Sequence, residues 1–292
     1  MRSRIESIGV SLPGNGLFKK GSVDHAVIAG KSCLEKSKYP SSSITTMINT
    51  GVYRDGHVIE PAIAAIVQDR LDINTGFHGK DTFSFDLMNS GCGLLNGIDV
   101  VTTMMKGDSA SVGMVFSSEA NPDSNPSHDY SYERSGVAMI IDRSPDSNTG
   151  FSDFVFKTFS DYADAYTGTV SMKKKNGRIS INKDQNLEAM YLNCIPPVVQ
   201  ELLGNELLDP EDIDLVIPSQ ISPGFIKKIG PEIGIPESKV LDVYGKVGDT
   251  LTTSIMLGYD YAMKKELIKP GMKVLMIGAG AGITIGATIY YC

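Results

Sequence analysis

Apolar and polar residues alternate from Ile5 to Leu12 (IESIGVSL), and the run stops at Pro13-Gly14, the pattern of a strand closed by a turn. The period then lengthens. Val23 to Lys36 has helical spacing, with Ser22 as the expected N-cap. Ile44 to Val52 reads as a second strand, running into the loop Tyr53-Arg54-Asp55-Gly56-His57. Pro61 opens a helix, AIAAIVQDRL, in the first-turn place that proline favours. Next comes a short apolar run (Phe83, Phe85, Leu87), then a corner of small residues, Asn89-Ser90-Gly91-Cys92-Gly93. Leu94, Ile98, Val101 and Met105 follow at helical spacing. This stretch therefore predicts a buried strand, a tight turn and a helix, with a cysteine on the helix's first turn.

Val112 to Ser118 and Val137 to Ile141 read as buried strands, separated by the polar loop Asn121 to Arg134. Phe151 to Tyr162 and Arg178 to Ile181 read as strands flanking a Lys-rich hairpin. Leu187 to Leu203 is helical, with a break at Pro196-Pro197. Leu215 to Pro218 is a strand, Pro223 to Ile233 a helix interrupted at Gly230-Pro231, and Val240 to Val243 another strand. A helix over Leu251 to Leu267 leads to a closing hairpin, Val274 to Ala279 and Thr284 to Tyr291, joined through Gly280-Ala281-Gly282.

One unit occurs twice. Phe85-Asp86-Leu87 leads through the Gly-Cys corner to a helix, Lys106-Gly107, and VGMVFSS. Leu241-Asp242-Val243 leads through Gly245 to Asp249 to a helix, Lys269-Pro270-Gly271, and KVLMIGA. Two such units predict two stacked, pseudo-symmetric α/β halves, residues 1–150 and 151–292, each with a mixed, mostly parallel sheet. Counted from Asp86 and Asp242, Cys92 and Asp249 are counterparts, and symmetric stacking brings both helix starts to one central site.

Composition narrows the function classes. The chain has 292 residues, 41% of them hydrophobic, and a net charge of −7, which argues against nucleic acid as its main partner. The basic run Lys173-Lys174-Lys175 with Arg178 flanks the turn pair Asn176-Gly177. It reads as a solvated hairpin tip, or as a docking spot for an acidic carrier protein. No apolar run is long enough to span a membrane, and the polar N-terminus does not resemble a signal peptide. Cys33, Cys92, Cys194 and Cys292 are widely spaced, suggesting neither a metal site nor a disulfide framework and pointing to a cytoplasmic protein. At a helix start Cys92 has two readings, a nucleophile whose thiolate the helix dipole favours or a small buried residue in a tight corner.

Taken in order, TGVYRDGHVIEPAIAAIVQDRL, FDLMNSGCGLLNGID, IDLVIPSQ, KVLDVYGKVGDT and GAGAGITIGA resemble the thiolase superfamily, in its ketoacyl synthase III branch. The RD…EP stretch and LNGID resemble the head-to-head acyl-condensing (OleA-type) group in particular. The resemblance covers nearly the whole chain and implies a five-layered αβαβα fold, a homodimer built edge to edge, and no cofactor. It implies a cysteine that takes an acyl group from acyl-CoA or acyl-carrier protein, helped by a His, an Asn and backbone N–H groups. In the OleA-type group a Glu from the partner subunit also enters as a base, and Glu60 matches it.

The chain departs from that pattern. Without gaps the family's Cys falls at Gly91, one place before Cys92. The family's His falls at Ser219 and its Asn at Asp249, and Trp is absent. His25, His57, His78 and His128 all lie in the first half, where His57 is either a replacement base or an ordinary loop residue. The expected site is therefore Cys92, Asp249, Ser219 and Glu60, with Gln220, Gly280, Ala281 and Gly282 offering donors to a carbonyl. Two functions stay open. One is an acyl-thioester transferase or condensing enzyme acting through acyl-Cys92, without standard decarboxylative condensation. The other is a non-catalytic partner subunit of a related synthase, in a heterodimer.

Overall fold

The computed structural model describes residues 2–13, 20–76, 81–121, 130–170 and 179–292. The basic run 173–178, His78 and His128 lie outside these residues. The first half holds β1 (Ser3–Ser11), α1 (Ser22–Lys36), β2 (Thr46–Asn49), α2 (Ile63–Arg70), β3 (Phe83–Asp86), α3 (Gly93–Lys106), β4 (Gly113–Glu119) and β5 (Ser135–Arg143). The second begins with β6 (Gly150–Thr158), β7 (Tyr166–Val170), β8 (Ile179–Lys183), α4 (Leu187–Cys194) and α5 (Pro196–Glu206). It continues with β9 (Leu215–Pro218), α6 (Pro223–Glu232), α7 (Tyr244–Val247), α8 (Ser254–Lys264), β10 (Lys273–Gly280) and β11 (Thr284–Tyr291).

Two sheets form the frame, in the orders β1-β5-β4-β2-β3 and β6-β11-β10-β9. Both are mixed. β3, β2 and β4 run parallel, as do β9 and β10, whereas β5 and β11 return antiparallel to their neighbours. The antiparallel share is larger than strict strand–helix alternation suggests, because β4–β5 and β10–β11 need no helical crossover.

Helices α3 and α8 lie between the sheets. Their apolar stripes (Leu95, Ile98 and Val101; Ile255, Met256 and Tyr259) pack with Val115, Met139, Ile217 and Met276 in one cluster. Each of the aliphatic side chains among them contributes about 1.5–3 kcal/mol on full burial, as an upper estimate. The outer face of the first sheet is covered by α1 and α2, and that of the second by α4, α5 and α6. The result is five layers, helix–sheet–helix–sheet–helix. No helix among the described residues is long and apolar enough to cross a membrane.

Several elements differ from the sequence pattern, each for a local reason. Ser22 does not cap α1. Its hydroxyl accepts from the Asp55 N–H, while the Ser22 and Val23 N–H groups donate to the Asp55 carboxylate from across the fold. α2 starts at Ile63 rather than Pro61, because its free N–H groups at Ile63 and Ala64 are taken by Asp86 at 2.9 and 3.0 Å. Pro196-Pro197 end α4 and start α5, as expected. Pro231 does not interrupt α6, since it is the helix's next-to-last residue and only the closing turn loses an i→i−4 bond. Residues 240–243 make only one bridge, Val216 with Val240, and are held instead by the Gln220 side chain. β7 has no counterpart in the sequence pattern, and it pairs with β8 as a separate two-stranded sheet.

Candidate active site

β3 leads into a short 3-10 turn, Ser90–Cys92, and α3 follows. Ser90 has φ +46°, a left-handed conformation that swings the chain sharply out of the strand. The second half repeats the device in the turn Leu251–Thr253 ahead of α8, with Leu251 at φ +49°. By backbone, then, Gly91 matches Thr252 and Cys92 matches Thr253. Asp249 lies two residues ahead of that turn, so it is not the counterpart of Cys92. Counting from the strand misaligns them because the second connection is longer and contains α7.

Gly91 and Cys92 face in different directions. A Cβ added at Gly91 would lie 3.6 Å from Ser219 Oγ and only 2.1 Å from the Ala279 carbonyl oxygen. That position faces Ser219, yet it has no room for a side chain. Cys92 turns inward and is 0% exposed, its Sγ 3.2 Å from the Gly278 carbonyl and 3.1 Å from that of Thr284. Burial pushes this thiol up to about 12, with the Gly286 and Gly280 N–H groups opposing only part of the effect. Burial outweighs the helix dipole, and the sulfur is a protonated thiol held against the β10 and β11 backbones.

The other expected residues separate into four places. Ser219 and Asp249 do meet, lining one small cleft of about 40 Å³ with Ala279, Leu251, Tyr132, Tyr166, Lys183 and Tyr191. Ser219 Oγ accepts from the Ala279 N–H at 3.1 Å. Asp249 accepts from the Leu251 N–H at 2.9 Å, and burial pushes its carboxyl up to about 7 against the pull of Lys183. Gln220 faces away, donating to the Pro218 and Leu241 carbonyls and accepting from the Val243 N–H. Gly280 ends β10 with its N–H toward the Cys92 sulfur, and Gly282 turns the hairpin at φ +104°. Neither these glycines nor Ala281 lines the cleft.

Glu60 is exposed on the loop before α2 and does not line the cleft of its own chain. That loop is pinned at both ends by Asp86, which bonds Arg54 at 2.9 Å and caps α2. His57 lines a neighbouring groove of about 270 Å³ with Arg54, Ile59, Met88 and Val170. His25 is buried elsewhere, against the Ser11 hydroxyl.

The structure adds residues that the sequence pattern did not single out. Tyr132 donates to the Tyr166 hydroxyl at 2.7 Å, and the Tyr53 and Tyr166 hydroxyls lie 2.6 Å apart. Lys183 Nζ sits 4.4 Å from the centroid of the Tyr132 ring. Glu119, fully buried at the end of β4, accepts from the Val52 and Tyr53 N–H groups and from the Thr252 hydroxyl. Burial pushes its carboxyl up to about 7, and it joins the loop leading to Glu60 with the turn that starts α8. The one signal in the sequence is an acid closing the otherwise uncharged strand VGMVFSSE.

Two stacked mixed sheets around a central helix pair, with a helix-start turn from each half meeting in the middle, define a thiolase-like protein. Comparisons with known proteins agree. The model of the 3-oxoacyl-[acyl-carrier-protein] synthase III C-terminal region matches residues 203–292. The beta-ketoacyl-[acyl-carrier-protein] synthase III of Wolbachia pipientis subsp. Culex pipiens is 27% identical over 271 residues, spanning 91% of this chain and 82% of its own. That of Aquifex aeolicus is 25% identical over 233 residues, 78% of this chain and 71% of its own. Among solved structures, the Aquifex aeolicus synthase superposes with a TM-score of 0.85 at 20% identity, over 99% of this chain and 100% of that one. Xanthomonas campestris OleA, solved with lauric acid and lauroyl-CoA, superposes with a TM-score of 0.84 at 16% identity, over 100% and 99%. The chain shares the layered thiolase-like fold of these synthases, and its residues 203–292 match the C-terminal model of the synthase III family.

Proposed function

We propose that this chain is a thiolase-fold subunit that carries no acyl group on a cysteine of its own and works beside a ketoacyl synthase-like partner. One observation carries the reading. The position facing Ser219 is a glycine pressed against the Ala279 carbonyl, and the adjacent Cys92 thiol is sealed between β10 and β11. A nucleophile must reach its substrate as a thiolate, and this sulfur is neither exposed nor ionised near neutral pH. A family of condensing enzymes thus supplies the scaffold, while the partner supplies the cysteine and handles acyl-CoA or acyl-carrier protein.

The partner-facing surface is β3. Its outer edge is unpaired among the described residues, and Phe83, Met88 and Ile59 are exposed at 61%, 58% and 76%. Such an edge with apolar side chains favours strand-to-strand pairing. Glu60 stands next to Ile59 on the loop that Asp86 pins, so pairing through this face would present its carboxylate to the neighbouring subunit.

The test has two arms. Intact-protein mass spectrometry after incubation with acyl-CoA or acyl-carrier protein of several chain lengths should show no adduct. Co-expression with a ketoacyl synthase III homologue from the same genome should give a stable pair whose condensing activity falls on Glu60→Ala. An acyl adduct that Cys92→Ala removes would overturn the proposal and establish the acyl-Cys92 enzyme instead.

A further inference from the structure

α3 starts at the Cys92 corner and runs for 14 residues, about 20 Å, to the opposite pole of the molecule. There its last turn meets the start of β1 and the end of β5, and a cavity of about 340 Å³ opens between them. Arg2, Lys106 and Arg143 line it, against one acid, Asp108. In a chain of net charge −7 this is a local reversal of sign. Arg2, Thr102 and Lys106 also line a second cavity of about 200 Å³, so the two form one groove with two ends. The second end is walled by Ser152 and Asp153 of β6 and by Glu206 of α5.

The donors at the first end are only partly used. Arg143 gives one nitrogen, Nη2, to both the Met105 carbonyl and the Asp108 carboxylate, and its Nε and Nη1 have no partner among the described residues. Lys106 pairs with Asp153 at 3.3 Å, but both side chains are more than half exposed, so water or a ligand displaces the contact at little cost. Arg2 is held in place, its guanidinium 3.7 Å from the centroid of the Tyr291 ring and its Nη1 donating to the Asn148 carbonyl at 2.9 Å. Ser3 and Thr102 add a buried pair of hydroxyls, their oxygens 2.6 Å apart. Two hydroxyls that share one bond leave one O–H over, and it has no acceptor among the described residues. A buried donor in that state is costly, and three cations beside it call for an anion rich in acceptors.

We propose that this groove binds a small phosphorylated polyol, with its phosphoryl group at the first end and its hydroxyl groups at the second. The phosphoryl oxygens accept from Arg143, Lys106 and the spare hydroxyl of the Ser3–Thr102 pair. At the second end the charges balance, Arg2 and Lys106 against Asp153 and Glu206, which suits a neutral hydroxylated group rather than a second phosphate. There the two carboxylates accept from the ligand's hydroxyls. No residue of the groove belongs to the Asp249 cleft or to the β3 edge, so binding here is independent of pairing with a synthase.

Calorimetric titration of the whole chain with three probes tests it: glycerol 3-phosphate, inorganic phosphate and glycerol. Glycerol 3-phosphate should bind saturably at one site per chain, and less tightly as sodium chloride is raised. Inorganic phosphate, which lacks the hydroxylated arm, should bind about tenfold more weakly, and glycerol should not bind. Lys106→Gln and Arg143→Gln keep most of each side chain's bulk and remove its charge, and each should weaken glycerol 3-phosphate by about tenfold or more. Circular dichroism of the two variants without ligand should match wild type. If Arg143→Gln fails to fold, because its nitrogen also serves the Met105 carbonyl, the half-exposed Lys106→Gln carries the same titration. Absence of saturable glycerol 3-phosphate binding, undiminished binding by a folded glutamine variant, or equal affinity for inorganic phosphate would overturn the proposal.

Discussion

At Gly91 and Cys92 a one-residue step decides what the corner can do. On a helical turn adjacent side chains point about 100° apart, so one faces Ser219 and the next faces the sheet. Which is which follows from the left-handed φ at Ser90, a conformation that a serine in the sequence does not announce. Two outcomes follow. With iodoacetamide at pH 8, peptide mapping should find Cys92 unlabelled in the native protein and labelled after denaturation, with the partly exposed Cys292 modified first among the cysteines. Gly91→Ala should destabilise the fold by about 2–3 kcal/mol in urea unfolding, because its Cβ would fall 2.1 Å from the Ala279 carbonyl oxygen and neither backbone can yield freely.

At the scale of elements, helix starts are the least legible feature. The chain places α1 and α2 correctly by period, but their caps come from Asp55 and Asp86, which are remote in sequence. Asp86 also pairs with Arg54, and both side chains are about nine-tenths buried. Asp86→Ala would leave two helix N–H groups and a guanidinium without their acceptor. It should cost about 3–5 kcal/mol, read as a shift in the urea midpoint with the slope unchanged. If Glu60 acts on a neighbouring subunit, the same substitution should also lower the pair's condensing activity, because the loop loses both anchors. β7 was hidden for a related reason. It is a short strand, its outer residues are exposed, and it pairs with β8 rather than with a main sheet, so no long apolar run marks it.

For the whole molecule, the meeting of the two halves buries acids. Glu119 and Asp249 both have carboxyls raised to about 7, and both lie where the loops of the two halves join. An acid raised in the folded state binds a proton that the unfolded chain has already released. Its favourable contribution is therefore full below the unfolded value and lost as pH rises through the folded one. Unfolding free energy should thus fall between about pH 4.5 and pH 7, by about 1.4 kcal/mol per pH unit for each such group, and level off above. Glu119→Gln should remove one group's share of that slope, measured by urea unfolding across the same range. The exposed β3 edge makes a second prediction at this scale. Phe83→Lys should abolish the proposed pairing with the synthase-like partner in analytical ultracentrifugation and leave the circular dichroism unchanged, since Phe83 is mostly exposed in the single chain.

The layered α/β fold was legible in the sequence because it depends on periodicity. Strands alternate or run apolar, helices repeat every three to four residues, and a unit used twice reads as two stacked halves. The stretch from Phe83 to Met105 likewise announces a strand, a corner and a helix in that order. The order of the motifs also led to the expectation that Gly91, Ser219 and Asp249 stand where the resembling family has its Cys, His and Asn, and the structure brings Ser219 and Asp249 to one cleft. What the sequence could not carry was direction. The turn of Cys92 into the β10–β11 backbone, the closure of position 91 by Ala279, and the gathering of Tyr53, Tyr132, Tyr166, Lys183 and Glu119 around Asp249 depend on contacts between residues tens to hundreds of positions apart. Local spacing sets which face of an element is apolar. Only packing of the two halves sets what each side chain meets there, and so whether a buried sulfur is a nucleophile or a thiol bonded to the sheet.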